Sequence, residues 1–332
     1  MVKPNIRNLS SICQSLDGPD RVIHAEAPLA ELKDNELLIE VKAAALNFPD
    51  LLMTYGGYQF RPELPFVVGM EGAGVVLEAG CDANHVSPGD KVIFRGKTGA
   101  CARLKIAQNT DVSLMPGHLG FTDAAAFGVT FQTAYVALAK RGRLCAGEWL
   151  LVHGAGGGVG QACVSVGKAL GAKVIATASS EDKRAIAKQS GADFVIDYSE
   201  QTFSDAVIDI TKGQGVDLIM DPVGGWVLNE SVHCLSWMGR LLTVGFAGGD
   251  FGNIDLKVLA QKSGELIGVR AGEYGRRNPE AGQRAYDELL QLAEKNDLRP
   301  HIGAVWNAGE VVAALKSMED RIATGKQVIS IN

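Results

Sequence analysis

Over the first third of the chain, hydrophobic residues come in short runs broken by turn residues: LLIEVKAAAL at 37–46, GAGVVLEAG at 72–80 and KVIF at 91–94. Such runs predict strands. Ahead of the last one, Pro88-Gly89-Asp90-Lys91 is a turn signal with a mechanism, since proline presets φ and glycine tolerates positive φ. The period then changes. Over 118–140, Ala126, Val129, Ala134 and Leu138 form an apolar stripe, with Thr122 placed as the N-cap and Asp123 in the first turn, which predicts a helix. A domain boundary is expected near it.

Beyond that helix, strands and helices alternate. The apolar runs are WLLVHG (149–154), KVIATA (173–178), FVIDY (194–198), VDLIMD (216–221), RLLTVGF (240–246) and ELIGVR (265–270). Alternation of this kind predicts an α/β fold built on a doubly wound parallel sheet. The helix after the first strand carries apolar or small residues at 159, 162, 163, 166, 169 and 170 and stops at Gly171. Asn278-Pro279 opens a later helix with Tyr286, Leu289, Leu290 and Ala293 on one side; a last one, over 310–324, ends at Gly325 before the strand QVISI.

Between the strand LLVH and the periodic helix lies GAGGGVG, residues 154–160. Gly154, Gly157 and Gly160 have GxxGxxG spacing, with Gly158 and Val159 in the same turn. In a strand–turn–helix context, such glycines let backbone N–H groups approach a pyrophosphate at the positive end of a helix dipole. A dinucleotide is the expected cofactor. At the end of the second strand, an NAD site places Asp or Glu against the ribose 2′-hydroxyl. Here stand Ser179 and Ser180, with Lys183 one turn on. Two hydroxyls and an ammonium welcome a 2′-phosphate that a carboxylate would repel, so NADPH is expected. Glu181 and Asp182 lie nearby and weigh the other way, and a competing account makes Ser180 a helix cap and Lys183 a surface charge.

Composition narrows the field. A single core seldom grows past about 250–300 residues, so a chain of 332 predicts two domains. With 32 basic against 38 acidic residues and a net charge of −6, no electrostatic footprint for nucleic acid is present. The six cysteines lie at least 18 residues apart, which excludes the paired spacing of a structural zinc lobe. No apolar run reaches the ~18 residues of a membrane span, and the N-terminal stretch has no secretory leader pattern. No membrane partner and a cytoplasmic location are expected. His153, at a strand end beside the glycine loop, is expected to be a packed residue rather than an acid or base; no Gly-x-Ser-x-Gly elbow signals a hydrolase.

With these residues in hand, the chain resembles the zinc-free, quinone-oxidoreductase branch of the medium-chain dehydrogenase/reductase superfamily. The motifs are LNFPD (46–50), YGGYQFRPELPFVVGMEGAGVV (55–76), SPGDKV (87–92), TAYVAL (133–138), the glycine loop, GADFVIDY (191–198), DPVGG (221–225) and ATGKQVISI (323–331). The resemblance implies a GroES-like, β-rich catalytic domain from 1–127 and 271–332, a Rossmann domain over 128–270, and a homodimer. Zinc-dependent relatives carry a Cys and a Gly-His-Glu motif where this chain has Asn47 and Gly69-Met70-Glu71, which implies no catalytic metal. Ser179, Ser180, Lys183 and Tyr198 are similar to the family's 2′-phosphate and adenosine contacts; Asn47, Thr133, Gly245, Phe246 and Lys326 look like the nicotinamide half. Phe246 also reads as core and Lys326 as a solvated charge. Arg103 departs from the family's Gly-x-Ala-Glu-Tyr pattern, where an acidic residue is expected.

Without a metal, hydride delivery suits acceptors that spread their own charge, such as quinones or α,β-unsaturated carbonyls, for which a few hydrogen-bond donors suffice. Tyr58, in Gly56-Gly57-Tyr58, is the expected donor, since its phenol O–H can give a proton or a hydrogen bond. It aligns with the tyrosine that related enoyl-thioester reductases use to protonate substrate, and it reads equally as an aromatic wall. Asn47 and Asp50 are expected to organise the pocket, Asp50 doubling as a structural turn carboxylate. Two further readings stand beside this one. One is an enoyl-thioester reductase in which Arg270, Arg276 and Arg277 meet a CoA phosphate; the other is a non-catalytic NADPH-binding protein. The strand ELIGVR has an apolar face that either pairs with its twofold mate or is buried under a loop.

Overall fold

A computed structural model describes residues 7–83, 85–199 and 202–331, and the chain divides into two units, Met1–Val129 with Ile302–Asn332, and Thr130–His301. The first segment forms β1 (Leu9–Cys13), β2 (Val22–Glu26), β3 (Glu36–Leu46), β4 (Phe66–Val67), β5 (Glu71–Ala79), β6 (Lys91–Arg95), β7 (Leu104–Gln108) and β8 (Val112–Leu114), with α1 (Phe48–Thr54) after β3. The apolar run of β3 does not alternate because both its faces are covered; Leu37, Leu38, Ile39 and Val41 are all buried. The turn into β6 is the one its residues specify: Asp90 N–H donates to Ser87 O at 3.0 Å, with Gly89 at φ 97°.

Helix α2 (Phe121–Tyr135) begins in the first unit, carries the chain into the second, and runs on into a π-helical stretch, Val136–Arg141. Ala124 N–H reaches Gly120 O, so the helix opens ahead of Thr122, which sits inside the first turn rather than capping it. There follow β9 (Trp149–Val152), α3 (Gly158–Ala169), β10 (Lys173–Ala178), α4 (Glu181–Gln189), β11 (Phe194–Asp197), α5 (Ser204–Ile210), β12 (Val216–Asp221), α6 (Trp226–Ser231), β13 (Leu235–Thr243), α7 (Leu256–Gln261), β14 (Glu265–Gly268), α8 (Ala271–Arg277) and α9 (Pro279–Asn296). The sheet is parallel, in the order β11-β10-β9-β12-β13-β14. Strand order therefore reverses between β9 and β12, the switch point beside which doubly wound folds bind nucleotides. The glycine loop leaves the end of β9.

One boundary differs from the sequence reading, which gives 271–332 to the catalytic domain. Helices α8 and α9 belong to the second unit, and the return to the first begins at Ile302. The reason lies in α9: Tyr286, Leu289 and Ala293 are buried, and Glu288 accepts a hydrogen bond from Tyr135 Oη at 2.9 Å and pairs with Lys140. A face so occupied within the second unit holds the helix there.

The returning segment supplies β15 (Ile302–Asn307), α10 (Val311–Glu319) and β16 (Lys326–Ser330). They complete a sheet in the order β15-β16-β3-β5-β6-β8, with β7 also on β3, beside a smaller sheet β2-β1-β4. β16 runs antiparallel to β3 with Gln327 opposite Leu46, which brings Lys326 to Asn47. No helix among the described residues is long and apolar enough to cross a membrane.

Candidate functional site

The glycine loop begins at Gly154, at φ 60°, and is tied down by Ala155 N–H donating to Thr177 O and Gly157 N–H to Gly154 O. Gly157 is the N-cap of α3 and offers no side-chain acceptor, so the first-turn N–H groups remain for an anion. Two glycines here are steric necessities. A Cβ on Gly160 would stand 2.2 Å from Gly154 O, and one on Gly156 would stand 2.4 Å from Lys183 Cβ. The loop thus packs directly against the lysine expected at the 2′-phosphate.

His153 is fully buried and serves the fold. Ser231 Oγ donates to Val227 O, so it accepts from His153 Nε2–H at 2.9 Å, while Nδ1 accepts from Thr177 Oγ1 at 2.8 Å. Burial without a counter-charge pushes the imidazole down to about 3. It stays neutral at physiological pH.

At the end of β10, Ser180 Oγ accepts Lys183 N–H at 3.4 Å and caps α4, while Ser179 is exposed and Lys183 half-buried. Tyr198 packs edge-on to Trp226 with ring centroids 5.9 Å apart. Past β12, Asp221 Oδ1 accepts from Val223 and Gly224 N–H, and Val244 and Ala247 N–H bond back to Asp221 and Pro222 carbonyls. Gly245 and Phe246 ride on this laced loop. Phe246 is half-exposed against Phe251, so it is not core; Thr133 is half-buried on α2.

The first unit holds a buried polar cluster. Lys326 Nζ donates to Asn47 Oδ1 at 2.7 Å, Leu46 O at 2.9 Å and Glu71 Oε1 at 2.9 Å, which spends all its protons. Asn47 Nδ2 donates to the same Glu71 oxygen at 2.9 Å, and Glu71 Oε2 accepts Val129 N–H at 2.7 Å. Asp50 Oδ2 accepts Asn47 N–H at 2.8 Å from the first turn of α1, half of a capping box. Among the described residues its Oδ1 has no hydrogen-bond partner, and burial raises the carboxyl to about 7 against the lowering pull of the Asn47 amide and Lys326. Tyr58 lies in the bend after α1, half-buried against the same unit's core.

The structure therefore unites Asn47, Asp50 and Lys326, and adds Glu71, which sequence reasoning passed over. Its signal was present in Gly69-Met70-Glu71, where only Met70 was weighed: a carboxylate opening an apolar strand needs a cation. Lys326 is neither solvated nor free to donate to a ligand. Thr133, the glycine loop, Ser179, Ser180, Lys183, Tyr198, Gly245 and Phe246 belong to the second unit.

Comparison with known proteins accords with both units. Residues 33–146 match the alcohol dehydrogenase GroES-like domain and residues 158–295 the zinc-binding dehydrogenase domain. The chain is 34% identical over 327 residues to quinone oxidoreductase-like protein 2 of Bos taurus, covering 97% of this chain and 92% of that one. It is 32% identical over 315 residues to a quinone oxidoreductase of Pseudomonas aeruginosa, covering 94% and 96%. A mycobacterial protein solved in complex with NADPH superposes with a TM-score of 0.88 at 28% identity, covering 97% of this chain and 99% of that one. The chain belongs to the quinone-oxidoreductase-like family of the medium-chain dehydrogenase/reductase superfamily. It is an oxidoreductase fold built for a nicotinamide cofactor.

Proposed function

We propose that this protein is an NADPH-dependent, metal-independent reductase that transfers hydride to a quinone or an α,β-unsaturated carbonyl. The observation that carries this reading is the Lys326 ammonium seated among Asn47, Glu71 and Leu46 O. Zinc needs three protein ligands, commonly thiolate, imidazole or carboxylate. At the positions where zinc-dependent relatives carry theirs, this chain offers the Asn47 amide, the Met70 thioether and a Glu71 carboxylate already neutralised by a cation. The donor set does not fit the metal, so no step runs through it.

The cofactor, when bound, supplies the hydride; the chain's residues bind and orient. The N–H groups opening α3 hold the pyrophosphate, and Ser179 with Lys183 holds the 2′-phosphate. The charge that develops on a quinone or enone oxygen is delocalised and asks for a hydrogen bond, which the Tyr58 phenol provides. Asn47 and Asp50 act by positioning: the Asp50 carboxylate fixes the start of α1, the helix that leads to Tyr58. The reading is tested by cofactor oxidation with menadione, a simple enone, crotonyl-CoA and a plain ketone, with Tyr58→Phe alongside. Quinone and enone turnover with NADPH supports it. Turnover confined to crotonyl-CoA and abolished in Tyr58→Phe favours the enoyl-thioester reductase, and tight NADPH binding without turnover of any acceptor favours a non-catalytic role.

The assembly proposed is a homodimer paired along β14. That strand is the last in its sheet, and Leu266 on it is exposed, as are Trp237 and Met238 on β13, at 68% and 63%. An apolar strand edge of this kind invites pairing with a second copy.

A further inference from the structure

Helix α1 ends in a turn whose residues leave it loose. Tyr55-Gly56-Gly57 sets two glycines side by side, with Gly56 at φ 65°. Beyond them, residues 58–65 make no backbone hydrogen bond among the described residues before the chain enters β4. Tyr58 stands at the head of this free run, so its position depends on what fixes the turn before it.

Two backbone bonds close α1: Gly56 N–H donates to Met53 O at 3.0 Å and Gly57 N–H to Leu52 O at 2.9 Å. The Tyr55 side chain leaves in another direction. Its ring lies on Gly18, where a Cβ would stand 2.7 Å from Cε1, Cζ and Oη, and Gly18 N–H donates to Thr54 O at 3.1 Å. Tyr55 Oη donates to Glu319 Oε1 on α10 at 2.6 Å, across 264 positions of chain. Three residues back on α10, Lys316 pairs with Asp20 at 2.5 Å. Gly56 in turn sits against Leu16, whose Cδ1 would be 2.9 Å from an added Cβ. Segment 16–20, the end of α1 and α10 are thus gripped together, all within the first unit, and Tyr55 is the side chain they share.

Tyr55 is 47% exposed, so its ring adds little to the core, and one hydrogen bond at the surface adds modest stability. What the contact does supply is a fixed origin for the loop that follows. A proton or hydrogen-bond donor must stand within about 3.2 Å of the atom it serves, and a misplacement of about 1 Å can cost on the order of a hundredfold in rate. We propose that Tyr55 is a positioning residue for the reduction: seated on Gly18 and tied to Glu319, it sets the start of loop 58–65 and through it the Tyr58 phenol. The inference rests on the reading of Tyr58 as the group that donates to the acceptor oxygen.

The test is a double-variant cycle. Tyr55→Phe keeps the ring and loses the hydroxyl; it is assayed alone and combined with Tyr58→Phe, using NADPH with menadione and with a simple enone. Alone, it is expected to lower kcat about threefold or more and to leave KM for NADPH within about twofold. In the Tyr58→Phe background the same change is expected to matter by less than about twofold, because no phenol is left to place. Glu319→Ala reproduces the loss, and Glu319→Gln, whose amide oxygen still accepts, recovers most of it. Hydrogen exchange reads the turn without turnover: the Gly56 and Gly57 amides exchange about threefold or more faster in Tyr55→Phe, while those of β3 keep their protection. An unchanged kcat in Tyr55→Phe, or a loss that persists in full beside Tyr58→Phe, overturns the proposal and leaves the Tyr58 reading intact. Wild-type kcat in Tyr58→Phe alone overturns both. The Glu319 variants carry the same comparison if Tyr55→Phe fails to fold.

Discussion

Lys326 and Glu71 meet at 2.9 Å inside the first unit, both buried, although they stand 255 positions apart along the chain. The pairing follows from register: β16 lies on β3, β3 lies on β5, and the first residues of β16 and β5 both come up against Asn47. A buried pair is a weak source of net stability, but breaking one half of it is expensive because an uncompensated charge stays behind. Lys326→Met and Glu71→Gln are each expected to destabilise by about 3–5 kcal/mol. The double variant should cost less than the sum by at least ~1 kcal/mol. Urea unfolding of the four proteins measures the coupling, and simple additivity would mean that the two charges do not depend on each other.

Two buried groups give the protein opposed pH responses. Asp50 is raised to about 7, so the folded state keeps a proton that the unfolded chain releases near 4; this contribution is full below about pH 4 and lost as pH climbs to 7. Asp50→Asn, whose amide oxygen still accepts Asn47 N–H, should therefore gain on wild type across that window, by up to ~4 kcal/mol. His153 is lowered to about 3, so its contribution is full above about pH 6.5 and lost as pH falls. His153→Gln should gain on wild type towards acid. Thermal unfolding from pH 4 to 8 reads both slopes, and a flat difference for either variant would contradict its assignment.

Cofactor choice is expected to rest on Lys183, which leans on Gly156. Lys183→Ala should raise KM for NADPH about tenfold, the loss of one charge-assisted contact, and leave KM for NADH within about twofold. Gly156→Ala, by displacing the same side chain, should move NADPH in the same direction. Steady-state kinetics with both cofactors decides; equal effects on both would show that Lys183 is only a surface charge.

Pairing along β14 can be tested by charge. Leu266→Asp is expected to shift the protein from dimer to monomer in sedimentation velocity at micromolar concentration. An unchanged dimer would place the interface elsewhere.

Much of this was legible in the chain. Strand runs such as VDLIMD and the change of period after residue 118 specify the two kinds of unit, because burial periodicity is local. The glycine loop was legible for a similar reason: Gly156 and Gly160 exclude side chains that neighbouring backbone and Lys183 would strike. What stayed hidden depends on contacts between distant segments. Nothing local tells that Lys326 is buried against Glu71, or that Glu288 on α9 is claimed by Tyr135 and Lys140 and keeps that helix in the second unit. Ser180 turned out to carry one of its two sequence readings openly, as a cap on α4, and that role leaves its exposed neighbour Ser179 as the freer hydroxyl for a phosphate.

The most direct test of the central claim is NADPH oxidation with menadione and a simple enone before and after exhaustive dialysis against a strong zinc chelator, with metal content measured in the same samples. An ammonium in place of a metal predicts turnover that is unchanged by chelation and unaffected by added zinc. Loss of turnover on chelation, restored by stoichiometric zinc, would contradict it.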